Sequence, residues 1–228
     1  MACLFDGRRS GLFLMRQAAP EGGQGDNANA LLAFFAQIAR NEQKVDAASI
    51  FHAVRQLPYL STGDRSLEGI LSRRAGSCSS KHILLVALLN KIGIKADVEL
   101  VLGDFAKPLC KARNVPAAFI SAANEGIRDI HNIVRAQIDG HTVVMDATWH
   151  DHVKPFGFRV NDTWSGIGDT TIAVDVERML GPSDDPAADK AKMIASWPDQ
   201  EQARRRRFLE MINDWVAGLS TQPAISRT

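Results

Sequence analysis

No apolar run in the 228 residues approaches the roughly 20 that a membrane-spanning helix needs, so an integral membrane protein is not expected. Nor does one sign of charge dominate. The 27 Lys plus Arg stand against 26 Asp plus Glu, a net charge of +1, and the chain as a whole has no pull toward nucleic acid, anionic lipid or acidic substrates. Cysteine is sparse and odd in number. Cys3, Cys78 and Cys110 make neither a disulfide framework nor a zinc motif; they suit a reducing compartment, and a cytoplasmic location is expected. Internal repeats and low-complexity tracts are missing too. What remains, 45% hydrophobic and 23% charged, is ordinary for a globular chain and excludes disorder throughout.

At the N-terminus, Arg8-Arg9 precede the apolar Gly11–Met15. That run is about five residues, short of the 7–15 of a signal peptide. Residues 1–25 are expected to be a disordered leader, with Met1 or Met15 as the start. Residues 26–220 are expected to form one domain, and 221–228 a tail.

Apolar periodicity predicts helices first. Asp26 or Asn27 caps one to about Arg40, with Leu31, Leu32, Phe35 and Ile38 on a stripe. Asp46 caps a second carrying Ile50, Phe51, Val54 and Leu57, ended by Pro58, and Ser66 caps a short third. After Gly76-Ser77-Cys78, the segment Ile83–Ile92 is apolar on nearly every side and predicts a buried central helix, with Gly93 as its C′ residue. Strand-like sequence follows at 95–102. In the second half, Ile130–Ile138 and His141–Thr148 flank Asp139-Gly140, a strong hairpin signal. Short strands are expected near 156–160 and 170–174, a mobile acidic connector over 181–189, and a last helix from Asp199 to Leu219. The fold class is α+β, with the buried helix packed on an antiparallel sheet.

Cys78 stands two residues after a glycine, at a helix start. Unpaired N–H groups and the helix dipole there favour a thiolate, and the same N–H groups can hold an oxyanion. Gly76 is read as the residue that lets the backbone turn. If Ile138 and His141 flank a two-residue turn, Ile133 faces Asp146 and His131 faces Thr148. His131 and Asp146 are then diagonal neighbours on the more polar face of the hairpin, opposite a core face of Val134, Ala136, Ile138, Val143, Met145 and Ala147. A one-residue slip would separate them. A Cys–His–Asp set has a plain mechanism. His131 takes the thiol proton, Asp146 orients the imidazole, and the thiolate attacks a carbonyl to give an acyl-enzyme.

Gly76-Ser77-Cys78, followed by Leu84-Leu85, Ala87-Leu88-Leu89 and Ile92-Gly93-Ile94, resembles the nucleophile segment of the transglutaminase-like superfamily. Val143-Val144-Met145-Asp146-Ala147-Thr148-Trp149 is similar to that family's Asp-x-Thr strand, and His131 to its His strand. The resemblance covers roughly residues 45–150 and implies a papain-like transglutaminase-core fold. It implies Cys78 as nucleophile, His131 as base and Asp146 as orienting acid. Asn132 departs from the family's Ala-Trp after the histidine. The side-chain half of an oxyanion site has only Gln56 and Tyr59 as candidates.

Ser77 and His82 are candidates to line the site, with core packing the alternative for His82. Trp149 and Trp164 are read as core, with an apolar substrate wall as the alternative. Cys110 is expected to be inert. Arg204–Arg207 spans a full helical turn, so it reads as a solvated, partly ion-paired face and not a nucleic-acid footprint. His141, His150, His152 and Asp151 lack a confirming ligand set, and no metal or cofactor is expected. The expected function is a cysteine-dependent hydrolase of a peptide, protein or small-molecule amide. Acyl transfer (amide crosslinking or synthesis) and a non-catalytic binding scaffold are the alternatives. No nucleic-acid or membrane partner is expected, and nothing fixes the oligomeric state.

Overall fold

The structure, a computed structural model, describes residues 22–221. Cys3, the Met1 or Met15 start, and most of the expected leader and tail lie outside the described residues. Helix α1 (Gly22–Asn41) begins inside the stretch read as leader, ahead of the expected Asp26 or Asn27 cap. Its buried contacts are Phe34 and Ile38, whereas Leu32, placed on the stripe by sequence, is 48% exposed.

Local signals account for the next three helices. In α2 (Ala47–Arg55) the Asp46 side chain accepts from Ser49 N–H, and the Ser49 hydroxyl reaches back to Asp46 N–H, a closed capping box. In α3 (Leu67–Arg73) Ser66 caps Gly69 N–H at 3.0 Å. Helix α4 (Cys78–Lys91) ends in a Schellman turn: Ile94 N–H bonds to Leu89 O at 3.0 Å and Gly93 N–H to Asn90 O at 3.1 Å, with Gly93 at φ +81. Leu84, Leu85, Leu88 and Leu89 of α4 are fully buried. At about 1.5–3 kcal/mol each, they make α4 the anchor of the first core.

Four antiparallel strands form one sheet in the order β3-β2-β1-β4: β1 (Ala96–Asp104), β2 (Arg128–Ile138), β3 (His141–Met145) and β4 (Asp175–Pro182). The hairpin register is the one read from sequence, with Ile138 opposite His141 and Val134 opposite Met145. Asp139 (φ 49) and Gly140 (φ 80) make the tight turn. The strand β3 stops at Met145, so the pairings expected beyond it are not ladder pairs; His131 faces Val101 of β1 instead.

Both faces of the sheet are covered. Val134, Ala136, Ile138, Val143 and Met145 meet α4 in the first core. On the opposite face, Val101 and Ile133 meet an aromatic core of Phe105, Trp149, Phe158, Phe208 and Ile212. The face read as polar is open only toward the turn, at Gln137 and Thr142, while its His131 end is buried. Helices α5 (Ala117–Glu125) and α7 (Asp199–Thr221) flank this second core.

Two expectations for the later chain are corrected. No strand forms at 156–160 or 170–174. The fourth strand is β4, an edge strand with two irregularities against β1. The expected connector over 181–189 is instead the end of β4 and the start of helix α6 (Pro186–Ala195), capped by Asp185 and with proline at its first position. Met193, Ile194 and Trp197 seat α6 on Leu100, Leu102 and Ile130.

Candidate active site

Cys78 is the first residue of α4 and is 2% exposed. The chain before it is fixed to the chain after α2. Gly76 N–H bonds to Pro58 O at 3.0 Å and Leu60 N–H to Gly76 O at 3.1 Å, which sets Tyr59 beside the segment that leads into Cys78. Gly76 is not needed for a turn, since its φ is not positive. It is needed for close approach: a Cβ there would lie 2.4 Å from Ser80 Oγ and 2.8 Å from Ile70 Cδ1. Ser77 caps α4 through its backbone conformation alone. The first bond within the helix runs from Lys81 N–H to Ser77 O, so the Cys78, Ser79 and Ser80 N–H groups have no helical acceptor.

Ser79 Oγ donates to Asn132 Oδ1 at 3.0 Å and pins the first turn of α4 to β2 one residue from His131. Asn132 therefore sets the relative position of helix and strand. His131 is fully buried, and its Nε2 is 2.7 Å from Asp146 Oδ2. Its Nδ1 forms no aligned hydrogen bond and is the nitrogen left for the Cys78 thiol, with which the ring interacts. In an unliganded site such contacts are commonly long.

Asp146 follows β3 directly and is held on every side. Its Oδ1 accepts Thr148 N–H at 2.9 Å, an Asx turn. Its Oδ2 also accepts Ala173 N–H at 2.7 Å, and its own N–H donates to Thr170 Oγ1 at 2.7 Å. The 170–174 segment, expected as strand, thus supplies a donor to the carboxylate and an acceptor to the Asp146 backbone N–H. Burial raises the Asp146 pKa, but the His131 ring outweighs it and holds the group well below the carboxylate range.

Three residues that sequence reasoning did not place here complete the site. Lys190 of α6 brings its Nζ to 3.7 Å from Cys78 Sγ and 3.7 Å from Asp129 Oδ2. Asp129 lies two residues before His131, on the same face of β2, and its Oδ1 takes Arg205 Nε at 2.6 Å. Arg205 was expected on a solvated face and is instead buried, with its partner on the sheet. Burial raises the Asp129 pKa, yet Lys190 and then Arg205 bring it below its ordinary value. Burial likewise pushes the Cys78 thiol up. The Lys190 ammonium and then the His131 ring overcome it and bring the thiol down to about 5. Burial disfavours the His131 imidazolium, but Asp146 and then Cys78 raise it to about 10. At neutral pH the pair is thiolate and imidazolium.

A cavity of about 240 Å³ opens onto Cys78. Tyr59, Ser77, Asp129, Lys190, Arg205 and Leu209 form its walls, with Arg65, Arg206 and Glu210 toward the opening. Tyr59 and Ser77 are therefore at the cavity. Burial first, and then the Cys78 charge, keep the Tyr59 phenol protonated.

Gln56, His82 and Trp149 are not at the cavity. Gln56 donates to Asp151 and borders a separate groove beside Phe34 and Ile38; it follows the last turn of α2, which directs it away from Cys78. His82 is fully buried behind Asp146, where its Nε2 accepts Ala147 N–H at 2.9 Å. Trp149 packs in the aromatic core, 4.9 Å from Tyr59 and stacked on Phe105 at 5.6 Å. Trp164 is core as well, edge-on to Phe51. Cys110 is exposed on the surface. Among the described residues no group of three or more His, Cys, Asp or Glu is arranged to hold a metal ion, and no helix is long and apolar enough to cross a membrane.

No family model matches the chain, and no curated protein matches it. Among solved structures it is similar to a "Putative Cysteine Protease from Cytophaga hutchinsonii", at 19% identity and a TM-score of 0.34. The likeness covers 54% of this chain and 42% of that one, so the chain spans less than half the length of that protein. A likeness at this level carries no weight for fold or chemistry, which rest on the geometry above.

Proposed function

We propose that the protein is a cysteine-dependent amide hydrolase on a papain-like, transglutaminase-core scaffold, with Cys78 as nucleophile, His131 as acid and base, and Asp146 as the group that orients His131. The observation that carries this reading is the buried His131. One of its nitrogens is 2.7 Å from Asp146 and the other is left for a thiol that opens onto a cavity.

In this scheme the Cys78 thiolate attacks the carbonyl carbon and the C=O π pair moves onto oxygen. The tetrahedral adduct collapses with cleavage of the C–N bond, and the leaving nitrogen takes the His131 proton. A thioester and a free amine result. Water then attacks the thioester while neutral His131 takes its proton. Cleavage of the C–S bond releases the acid and restores thiolate and imidazolium. A peptide, protein or small-molecule amide fits the scheme, and each step uses only these side chains and water.

Acyl transfer passes through the same thioester and differs only in the acceptor. A binding scaffold would have no use for five ionisable side chains, His131, Asp146, Asp129, Lys190 and Arg205, buried around a thiol, an arrangement that costs desolvation energy. The test uses p-nitrophenyl acetate as acyl probe, followed by fluorogenic peptide amides, with and without an added primary amine. A burst of about one equivalent and then steady turnover, both lost in Cys78→Ala, with turnover lost in His131→Ala, supports the reading. Acetylation that persists in Cys78→Ala, or the absence of any thioester on Cys78, overturns it. Amine found in the product moves the assignment to acyl transfer.

A further inference from the structure

We propose that Lys190 is a second catalytic cation: its ammonium shares the Cys78 thiolate with the His131 imidazolium and then donates to the carbonyl oxygen as negative charge develops there. A developing oxyanion is stabilised by a preorganised donor aimed at it. Gln56 is directed elsewhere. Lys190 Nζ is 3.7 Å from Cys78 Sγ, its side chain is 3% exposed, and it forms part of the wall of the cavity that a scissile carbonyl would enter. Asp129 Oδ2, also at 3.7 Å, holds the ammonium at the thiol, and Arg205 holds Asp129 from its far side. Asp129 and Arg205 are positioning residues.

Lys190 supplies charge from an element other than the one carrying His131, so the two cations act on the sulfur separately. The groups facing Cys78 are His131 and Asp129 from β2, Lys190 from α6, Arg205 from α7, and Tyr59 from the segment after α2, with Lys81 on its own helix. Among these, Lys190 is the largest favourable influence on the thiolate, ahead of His131. The thiolate half of the proposal stands without the hydrolase reading; the oxyanion half rests on it.

The first test needs no substrate. Iodoacetamide alkylation of Cys78 is followed against pH by mass spectrometry, with Cys110 as internal reference, in wild type, Lys190→Met, Lys190→Arg and His131→Ala. The wild-type midpoint is expected near 5. Lys190→Met should raise it by about two units, Lys190→Arg should restore most of that, and His131→Ala should leave it below the free-thiol value of about 8.5. Superimposable wild-type and Lys190→Met profiles overturn the proposal. So does a rise that Lys190→Arg fails to restore, because that pattern reports lost packing and not lost charge. If Lys190→Met does not fold, the wild-type protein answers instead. The Lys190 Cε carbon resonance should shift through the thiol midpoint and lose that step in Cys78→Ala; a missing step overturns the proposal.

The second test uses a fluorogenic peptide amide at a pH where both proteins are fully thiolate. A kcat for Lys190→Met lower by about 10²–10³, the usual loss for one oxyanion donor, supports the oxyanion half, and an unchanged kcat overturns it. If the alkylation shift is seen but no amide is cleaved, the hydrolase reading fails and the thiolate role stands. Cleavage with an unshifted alkylation profile means the reverse.

Discussion

Asp129→Asn tests the electrostatic frame of the site without touching the thiol. Asp129 is the countercharge of two buried cations, with Arg205 Nε at 2.6 Å from Oδ1 and Lys190 Nζ at 3.7 Å from Oδ2. The side chains of Asp129, Lys190 and Arg205 are 2%, 3% and 11% exposed. Asparagine keeps the shape and one acceptor oxygen but strips Arg205 of its carboxylate and leaves Lys190 only the Cys78 thiolate as countercharge. Breaking a buried ion pair costs about 3–5 kcal/mol. Arg205 keeps some solvent contact and the amide oxygen still accepts, so the low end, about 3 kcal/mol, is expected. In a chain of this size each kcal/mol lowers Tm by about 2–4 °C, so Tm at pH 7 should fall by about 6–12 °C.

The pH dependence gives the same prediction a sign. The folded-state pKa of Asp129 is lowered. A depressed carboxylate contributes stability that is fully present above its unfolded pKa of about 3.9 and is lost as pH falls through the folded value. The deficit of Asp129→Asn should therefore be complete at pH 7 and shrink below about pH 4. Urea midpoints at stepped pH values measure it. Combining Asp129→Asn with Arg205→Met should cost less than the sum of the single changes, because the second removes one stranded charge. A loss under about 1 kcal/mol, or a deficit that grows on acidification, would refute the reasoning.

Three further outcomes are expected. The pH profile of kcat/KM for a peptide amide should rise through about 5 as the Cys78 thiolate forms and fall through about 10 as His131 loses its proton; a single limb near 8.5 would mean an unpaired thiol. Lys81→Met should cost about 3–5 kcal/mol in urea, because the buried Nζ lies 2.9, 2.9 and 2.8 Å from Arg55 O, Leu57 O and Thr148 O and no other group replaces it there. Gly76→Ala should cost about 1–3 kcal/mol and slow Cys78 alkylation, since its methyl would meet Ser80 Oγ and Ile70 Cδ1 and push the nucleophile segment off its seat; a stable variant with wild-type alkylation would refute the close-packing account.

The parts of the site readable from sequence are those that local rules determine. The Asp139-Gly140 turn sets the hairpin register, and the register puts His131 and Asp146 on one face. Capping chemistry marks Asp46, Ser66 and Gly93. The three missed residues escape for two reasons. Asp129 lies in phase with His131, but the apolar run that marks the strand in the sequence begins at Ile130, two residues after β2 itself starts. Lys190 heads a stripe with Met193, Ile194 and Trp197, and Arg205 heads one with Phe208, Leu209 and Ile212; both follow the i, i+3, i+4, i+7 pattern of a buried helix face. A charged residue in phase with an apolar stripe is the available signal; at Arg205 it is masked by the four-arginine run, which reads as a solvated face. The strand β4 gave no comparable signal. It is an exposed edge whose pairing with β1 is non-local and twice interrupted.

The same three residues change how the thiolate is understood. With only Cys78, His131 and Asp146, ionising the thiol creates an imidazolium between two anions, and the histidine alone must keep the sulfur charged. The buried cluster instead sets Lys190, Arg205 and His131 against Asp129, Asp146 and Cys78. Burial favours the neutral form of the neighbouring Lys81, and among these six groups three cations meet three anions only when the thiol is ionised. A neutral thiol leaves an excess positive charge in a buried site, where uncompensated charge is most costly. The lowered thiol and the raised imidazolium are thus one property of a closed charge balance, spread over β2, α4, α6, α7 and the turn after β3. An attack that moves negative charge from sulfur to a carbonyl oxygen keeps that balance intact, provided the oxygen stays within reach of the same cations.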